Sequence, residues 1–259
     1  MLTLFSAFAI PLFAAHVLGD FLFLRKKDEA QGIQIRPLLK HSLMVAVASY
    51  LLIGIAGAWL IGTLILLSHA LIDYFSARYS KNDLRSFAFD QCAHLLVLLA
   101  ISAVVSSNSF YQDVSLWARY AGLWFYPLLV IVSGAVLCIN AGSLIVSLGV
   151  KRFHEQLRVS SSPAGTDLPE NEGHRKRGFA DGGRVIGCLE RALIFLFVMV
   201  GQPIAIGFLI AAKSVLRFGE IKEGTNRMEA EYIIIGTLCS FTTGLIVSFL
   251  TQAVLSAIK

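Results

Sequence analysis

Three histidine and aspartate pairs share one spacing in the N-terminal half of the chain: His16 with Asp20, His69 with Asp73, and Asp90 with His94. A spacing of four puts both side chains on one helical face about one turn apart, which is how one helix offers two ligands to one metal ion. His41 stands between the first two pairs without such a partner. Imidazole together with carboxylate suits zinc, manganese or iron, whereas magnesium and calcium favour all-oxygen sets. His16, Asp20, His41, His69, Asp73, Asp90 and His94 are more donors than one four-coordinate zinc takes, so some are expected to orient the ligands, or the set holds two ions. A bound ion makes water a nucleophile at neutral pH. The chemistry predicted is metal-assisted hydrolysis, with whichever of Asp20, Asp73 and Asp90 does not ligate acting as general base. For any single pair the bland alternative is an intrahelical hydrogen bond near a membrane interface.

The elements that carry these residues follow from composition. Of 259 residues 56% are hydrophobic and 15% charged, and the mean hydropathy is +0.71. A compact soluble fold of this size has too little interior to hide so many apolar side chains. The reading is therefore an all-α polytopic membrane bundle, which excludes a disulfide scaffold, a coiled coil, a disordered tail and a conventional nucleic-acid module. The net charge of +5 comes from short basic clusters between apolar runs, so it speaks to topology and not to a specific nucleic-acid partner. Cys92, Cys138, Cys188 and Cys239 fall one per apolar segment and read as small buried hydrophobes. No positive charge precedes His16, so the first segment reads as a retained span and not as a cleaved signal.

A crossing needs about 20 apolar residues, and that ruler predicts about six or seven hydrophobic helices. Leu2–Leu24 is the first. The apolar block from Leu38 to Ala77 is too long for one crossing, so it folds at Gly54, Gly57 and Trp59 into spans at Leu38–Ile55 and Leu60–Ala77. Ala88–Val105 and the longer Leu123–Val150 follow. The polar segment 151–181 is read as a flexible cytoplasmic linker that could recruit a cytoplasmic protein, separating a five-span part at 1–150 from a C-terminal membrane part at 182–259. In the latter, Ala192–Ala212 is either a kinked span or a re-entrant hairpin turning at Gly201-Gln202-Pro203, and Tyr232–Ile258 crosses.

Lys and Arg concentrate in the first loop, the third loop and the linker, which puts these inside and the N-terminus outside. That orientation brings all seven His and Asp residues to a similar depth in the inner-leaflet third, where a bundle would let them converge. Ionisable groups at such depth are costly unless paired, about 2.5 to 3.5 kcal/mol for an Asp at a helix centre. Arg25, Lys26, Lys27 and Lys40 at the rim point to a phosphate-bearing lipid or another amphipathic substrate. Two other readings use the same residues: a cation or proton pathway, and a non-catalytic membrane partner whose polar layer is structural. His154 and His174 belong to the linker. Gly183-x-x-x-Gly187 and Gly236-x-x-x-Ser240-x-x-x-Gly244 are small-residue packing faces, and Arg184 with Arg191 reads as anchoring or ion pairing, with binding of anionic headgroups the alternative. No phosphate-binding glycine loop, G-x-S-x-G or H-E-x-x-H occurs.

The run His16-Val17-Leu18-Gly19-Asp20-Phe21, the lone His41, Ser68-His69-Ala70-Leu71-Ile72-Asp73 and Phe89-Asp90-Gln91-Cys92-Ala93-His94 together resemble the uncharacterised bacterial membrane-protein family catalogued as domain of unknown function number 3307. The stretches Arg184–Arg191, Lys213–Phe218 and Glu231–Thr237 look like the second half of its longer members. The family pattern would place a Gln shortly after Asp20, where this chain has Leu24. The resemblance implies a bacterial inner membrane and carries no activity. A looser likeness of intramembrane His and Asp motifs links it, by analogy, to inner-membrane metal-dependent hydrolases.

Overall fold

A computed structural model describes residues 3–22, 34–55, 57–81, 83–107, 116–122, 124–160, 182–221 and 227–258, and the elements among them are all helical. Helix α1 is Leu4–Val17 and continues as a π-helical turn over Leu18–Leu22. It is followed by α2 (Ile35–Ile53), α3 (Trp59–Tyr79), α4 (Leu84–Ser107) and the short α5 (Leu116–Tyr120). Then come α6 (Phe125–Val136), a second π turn at Leu137–Ala141, α7 (Gly142–Ser160), α8 (Gly182–Met199), α9 (Ala205–Ile221) and α10 (Arg227–Ile258). Among the described residues, five helical runs are long and apolar enough to cross a membrane: 4–22, 59–79, 84–107, 125–156 and 230–258. Helix α2 is not among them, since Arg36, Lys40 and His41 occupy its first two turns. Helix α7 carries regular structure to Ser160, ten residues into the segment read as linker, and residues 161–181 lie outside the described set.

The chain divides into two compact units, 1–137 with 250–259, and 138–249. The division falls inside the π turn that follows α6.

In the first unit α1 to α4 form an up-and-down bundle. Phe8 and Leu12 of α1, Val45 and Ile53 of α2, Ile61 and Ile65 of α3, and Leu98 and Val105 of α4 bury against one another. These residues lie N-terminal to the histidine on α1 and α3 and C-terminal to it on α2 and α4, so alternate helices run in opposite senses. One end of the bundle is a dry apolar core, and the other holds the polar side chains. The apolar end is fastened at the α2–α3 turn. Gly54 caps α2 with φ +65°, a left-handed conformation that glycine adopts without strain. Its carbonyl accepts from Leu116 N–H at 2.8 Å, and the Trp117 indole donates to Leu51 O at 2.7 Å. Helix α6 packs on α1 through Phe125, Tyr126 and Leu129 against Ala14.

In the second unit α8 and α9 fold back on each other about Gly201, which takes φ +73°. Glu190 on α8 pairs with Lys213 on α9, on either side of that turn, which an uninterrupted crossing would not allow. The chain therefore turns back within Ala192–Ala212. Ile194, Val198, Ile206 and Phe241 form its core. Arg191 is 2% exposed and bonds Cys138 O at 2.9 Å, Ile139 O at 3.0 Å and Ser240 Oγ at 2.8 Å. The guanidinium thus satisfies two carbonyls of the second π turn and belongs to the interior of this unit, not to a headgroup-facing surface. A Cβ at Gly244 would meet Ile194 Cδ1 at 3.3 Å, so this small-residue face lets α8 and α10 approach, whereas one at Gly183 would meet nothing within 4 Å.

Candidate metal centre

All seven predicted side chains belong to the first unit, and the bundle brings them together. Asp20 sits in the π turn that ends α1, one turn beyond His16. Glycine precedes it because the backbone there runs against α2: a Cβ at Gly19 would lie 2.5 Å from Val45 Cγ2. That close approach carries Asp20 into the first turns of α2, where His41 waits. π turns of this kind recur at functional sites.

The carboxylate of Asp20 is the hub. Its Oδ1 lies 3.3 Å from His41 Nε2, 3.4 Å from His69 Nε2 and 3.5 Å from His16 Nδ1. Asp73 stands slightly farther off, at 3.8 Å from both His94 Nε2 and His69 Nε2 and 4.0 Å from His41 Nε2. His94 Nδ1 is 3.0 Å from the Asp90 carbonyl oxygen, one turn back on α4. A carbonyl only accepts, so this contact puts a proton on Nδ1, and the neutral ring then carries its lone pair on Nε2. The rings crowd together, with centroids 4.4 Å apart for His69 and His94 and 4.8 Å for His16 and His94.

His16, His69 and His94 are each 3% exposed. His16 Nδ1, His69 Nε2 and His94 Nε2 are buried without a hydrogen-bond partner, as is Asp90 Oδ1. Unpartnered buried polar atoms are rare and costly in native proteins. Among the described residues, two groups of donors could each hold an ion: His16, His69 and His94, and Asp20, His41 and His69, with one ligand atom per residue all within 4.8 Å of one another. His69 belongs to both.

Residues 8–119 match the family described as protein of unknown function DUF3307. The DUF3307 region therefore takes in most of α1, all of α2 to α4 and all seven site residues, and it ends before α6. The later stretches that resemble longer members lie outside the matched region. No curated protein and no solved structure matches the chain.

One residue of the DUF3307 region escaped sequence reasoning. Gln91 bridges the cluster, its Nε2 donating to Asp90 Oδ2 at 3.1 Å and Asp20 Oδ2 at 3.4 Å, while its Oε1 lies 3.3 Å from His16 Nε2. Its partners on α1 are more than 70 residues away, so no local spacing announces them. The available signal was an amide within an apolar helix, which must find partners there. Of the basic residues placed at the rim, Lys40 is exposed on α2 beside His41, and Arg25, Lys26 and Lys27 lie outside the described residues. His154 is exposed on α7, and His174 lies outside the described residues.

Proposed function

We propose that the protein is a multi-pass inner-membrane hydrolase whose metal ion is held by His16, His69 and His94, with Asp20 and His41 extending the ligand set. The observation that carries this reading is the trio of buried, unpartnered imidazole nitrogens facing carboxylates of the same layer. One cation would satisfy all of them together, and imidazole with carboxylate suits zinc, manganese or iron. Such an ion, when bound, supplies water acidic enough to act as a nucleophile at neutral pH. Asp73 lies in neither ligand group, yet its oxygens stand 3.8 to 4.0 Å from three imidazoles. That position suits a general base, which would take the proton of the attacking water. Asp90 and Asp20 hold Gln91 through their Oδ2 atoms.

The substrate class is a phosphate-bearing lipid or another amphipathic molecule reached from the inner leaflet. Its support is the exposed Lys40 beside His41, together with the cluster Arg25, Lys26 and Lys27 that follows the π turn in sequence. A transport pathway is disfavoured by the apolar end of the bundle. Buried Ser42, Ser49 and Ser102 spend their hydroxyls on carbonyls of their own helices, at 3.0, 2.8 and 2.7 Å, and offer no relay away from the layer.

Elemental analysis of the detergent-purified chain beside folded His69→Ala and Asp90→Ala variants tests the reading. Near-stoichiometric zinc, manganese or iron in the parent, lost in His69→Ala and reduced in Asp90→Ala, is expected, followed by release of phosphate or alcohol from a panel of phosphoesters and lipid phosphates. A parent that takes up no metal, even on adding it back, would overturn it.

A further inference from the structure

The orientation of the Gln91 amide decides which nitrogen of His16 offers its lone pair. The NH2 group lies against Asp90 Oδ2 at 3.1 Å and Asp20 Oδ2 at 3.4 Å, and Oε1 lies against His16 Nε2 at 3.3 Å. Oxygen and nitrogen of an amide are nearly equivalent in shape, so chemistry must choose between the two orientations. Turning the amide over would set its oxygen against two carboxyl oxygens, tolerable if both carboxyls carried protons. The carboxylates therefore hold the NH2, and Oε1 is left with lone pairs facing His16.

An acceptor facing Nε2 requires Nε2 to carry the proton. Neutral imidazole has one N–H, so the lone pair sits on Nδ1, which is buried, lacks a hydrogen-bond partner and points at Asp20 Oδ1 3.5 Å away. Two electron-rich atoms then face each other with no proton between them, an arrangement that a cation reconciles. His94 reaches the complementary state by another route, its Nδ1 held by the Asp90 carbonyl and its Nε2 left open. Asp90 thus acts on both rings, on His94 through its backbone and on His16 through Gln91.

We infer that Gln91 is a positioning residue that locks His16 as the Nε2–H tautomer and so turns its Nδ1 lone pair toward a divalent cation. The inference rests on the metal reading above for its purpose, and on hydrogen-bond geometry for the tautomer. Residues that hold the outer nitrogen of a ligating histidine typically change metal affinity by about 10- to 100-fold when removed.

The test uses the full chain in detergent with ¹⁵N-labelled histidine, stripped by chelator and then titrated with Zn²⁺. Long-range ¹H–¹⁵N correlation reads the tautomer of each ring, and His16 is assigned by loss of its signals in His16→Gln. The expected result is the Nε2–H form of His16 without metal, movement of its Nδ1 resonance on adding Zn²⁺, and, in Gln91→Leu, mixed tautomers with Zn²⁺ binding weakened about 10- to 100-fold. A parent chain that binds Zn²⁺ with His16 in the Nδ1–H form before loading overturns the role of Gln91 alone. A parent in the Nε2–H form that refuses Zn²⁺ overturns the metal centre and keeps Gln91 as the group that sets the tautomer. Both decisions come from the parent chain, so a poorly folding Gln91→Leu does not remove the test.

Discussion

His69 Nε2 lies closer to Asp20 Oδ1 on α1, at 3.4 Å, than to Asp73 Oδ2 one turn along its own helix, at 3.8 Å. Contacts between helices are thus at least as close as those within them. The same holds for His94, which is 3.8 Å from Asp73 on α3 and 3.9 Å from Asp90 on α4.

The two carboxylates should therefore separate in function. Asp20→Asn is expected to lower metal content strongly, because Asp20 Oδ1 touches three imidazoles. Asp73→Asn should keep most of the metal and lose hydrolysis by about 10²- to 10⁴-fold, the range for a general base. Metal content and turnover of a phosphoester, measured on the same preparations, check this; equal loss of metal in both variants would remove Asp73 from the role of base.

Binding that favours the folded state raises stability by mass action, by about 2.7 kcal/mol at 100 times the dissociation constant. Chelation should therefore lower the melting temperature of the purified protein, and adding the ion back should restore it. In His69→Ala, which breaks both donor groups, the melt is expected to be indifferent to chelator and to metal. A chelator effect of equal size in that variant would place the ion elsewhere.

Gly19→Ala should destabilise the first unit, since the added methyl would lie 2.5 Å from Val45 Cγ2 and Val45 is 1% exposed. Overpacking of this kind costs about 1–3 kcal/mol. Val45→Ala in the same chain should recover part of the loss, because it removes the clashing methyl. Thermal melts of the two single variants and the double variant form the cycle, and strict additivity would show that the two positions do not meet.

The α8–α9 hairpin carries a prediction about topology. If α8 and α9 enter and leave on the linker side, the single crossing of α10 leaves Lys259 outside, opposite the linker. A reporter fused after Lys259 should read as periplasmic, while one inserted in 161–181 should read as cytoplasmic. A cytoplasmic signal after Lys259 would mean that the hairpin does not return to its own side.

Much of this protein was legible in its sequence, for identifiable reasons. Apolar run lengths located most of the long helices, because a bilayer sets how much apolar chain a crossing needs. Gly54 and Trp59 marked the α2–α3 turn, since a left-handed cap needs glycine. The spacing of four put His16 and Asp20, His69 and Asp73, and Asp90 and His94 on common helical faces, which is a property of helical period alone. What period cannot express is which faces of different helices meet. The approach at Gly19, the hub at Asp20, the shared place of His69 in two donor groups and the bridge made by Gln91 all join residues distant in sequence, and packing decided them. The same limit applied at Ala192–Ala212, where composition did not decide whether the chain runs on or turns back, and the tertiary structure folds it back with Glu190 paired to Lys213 across the turn.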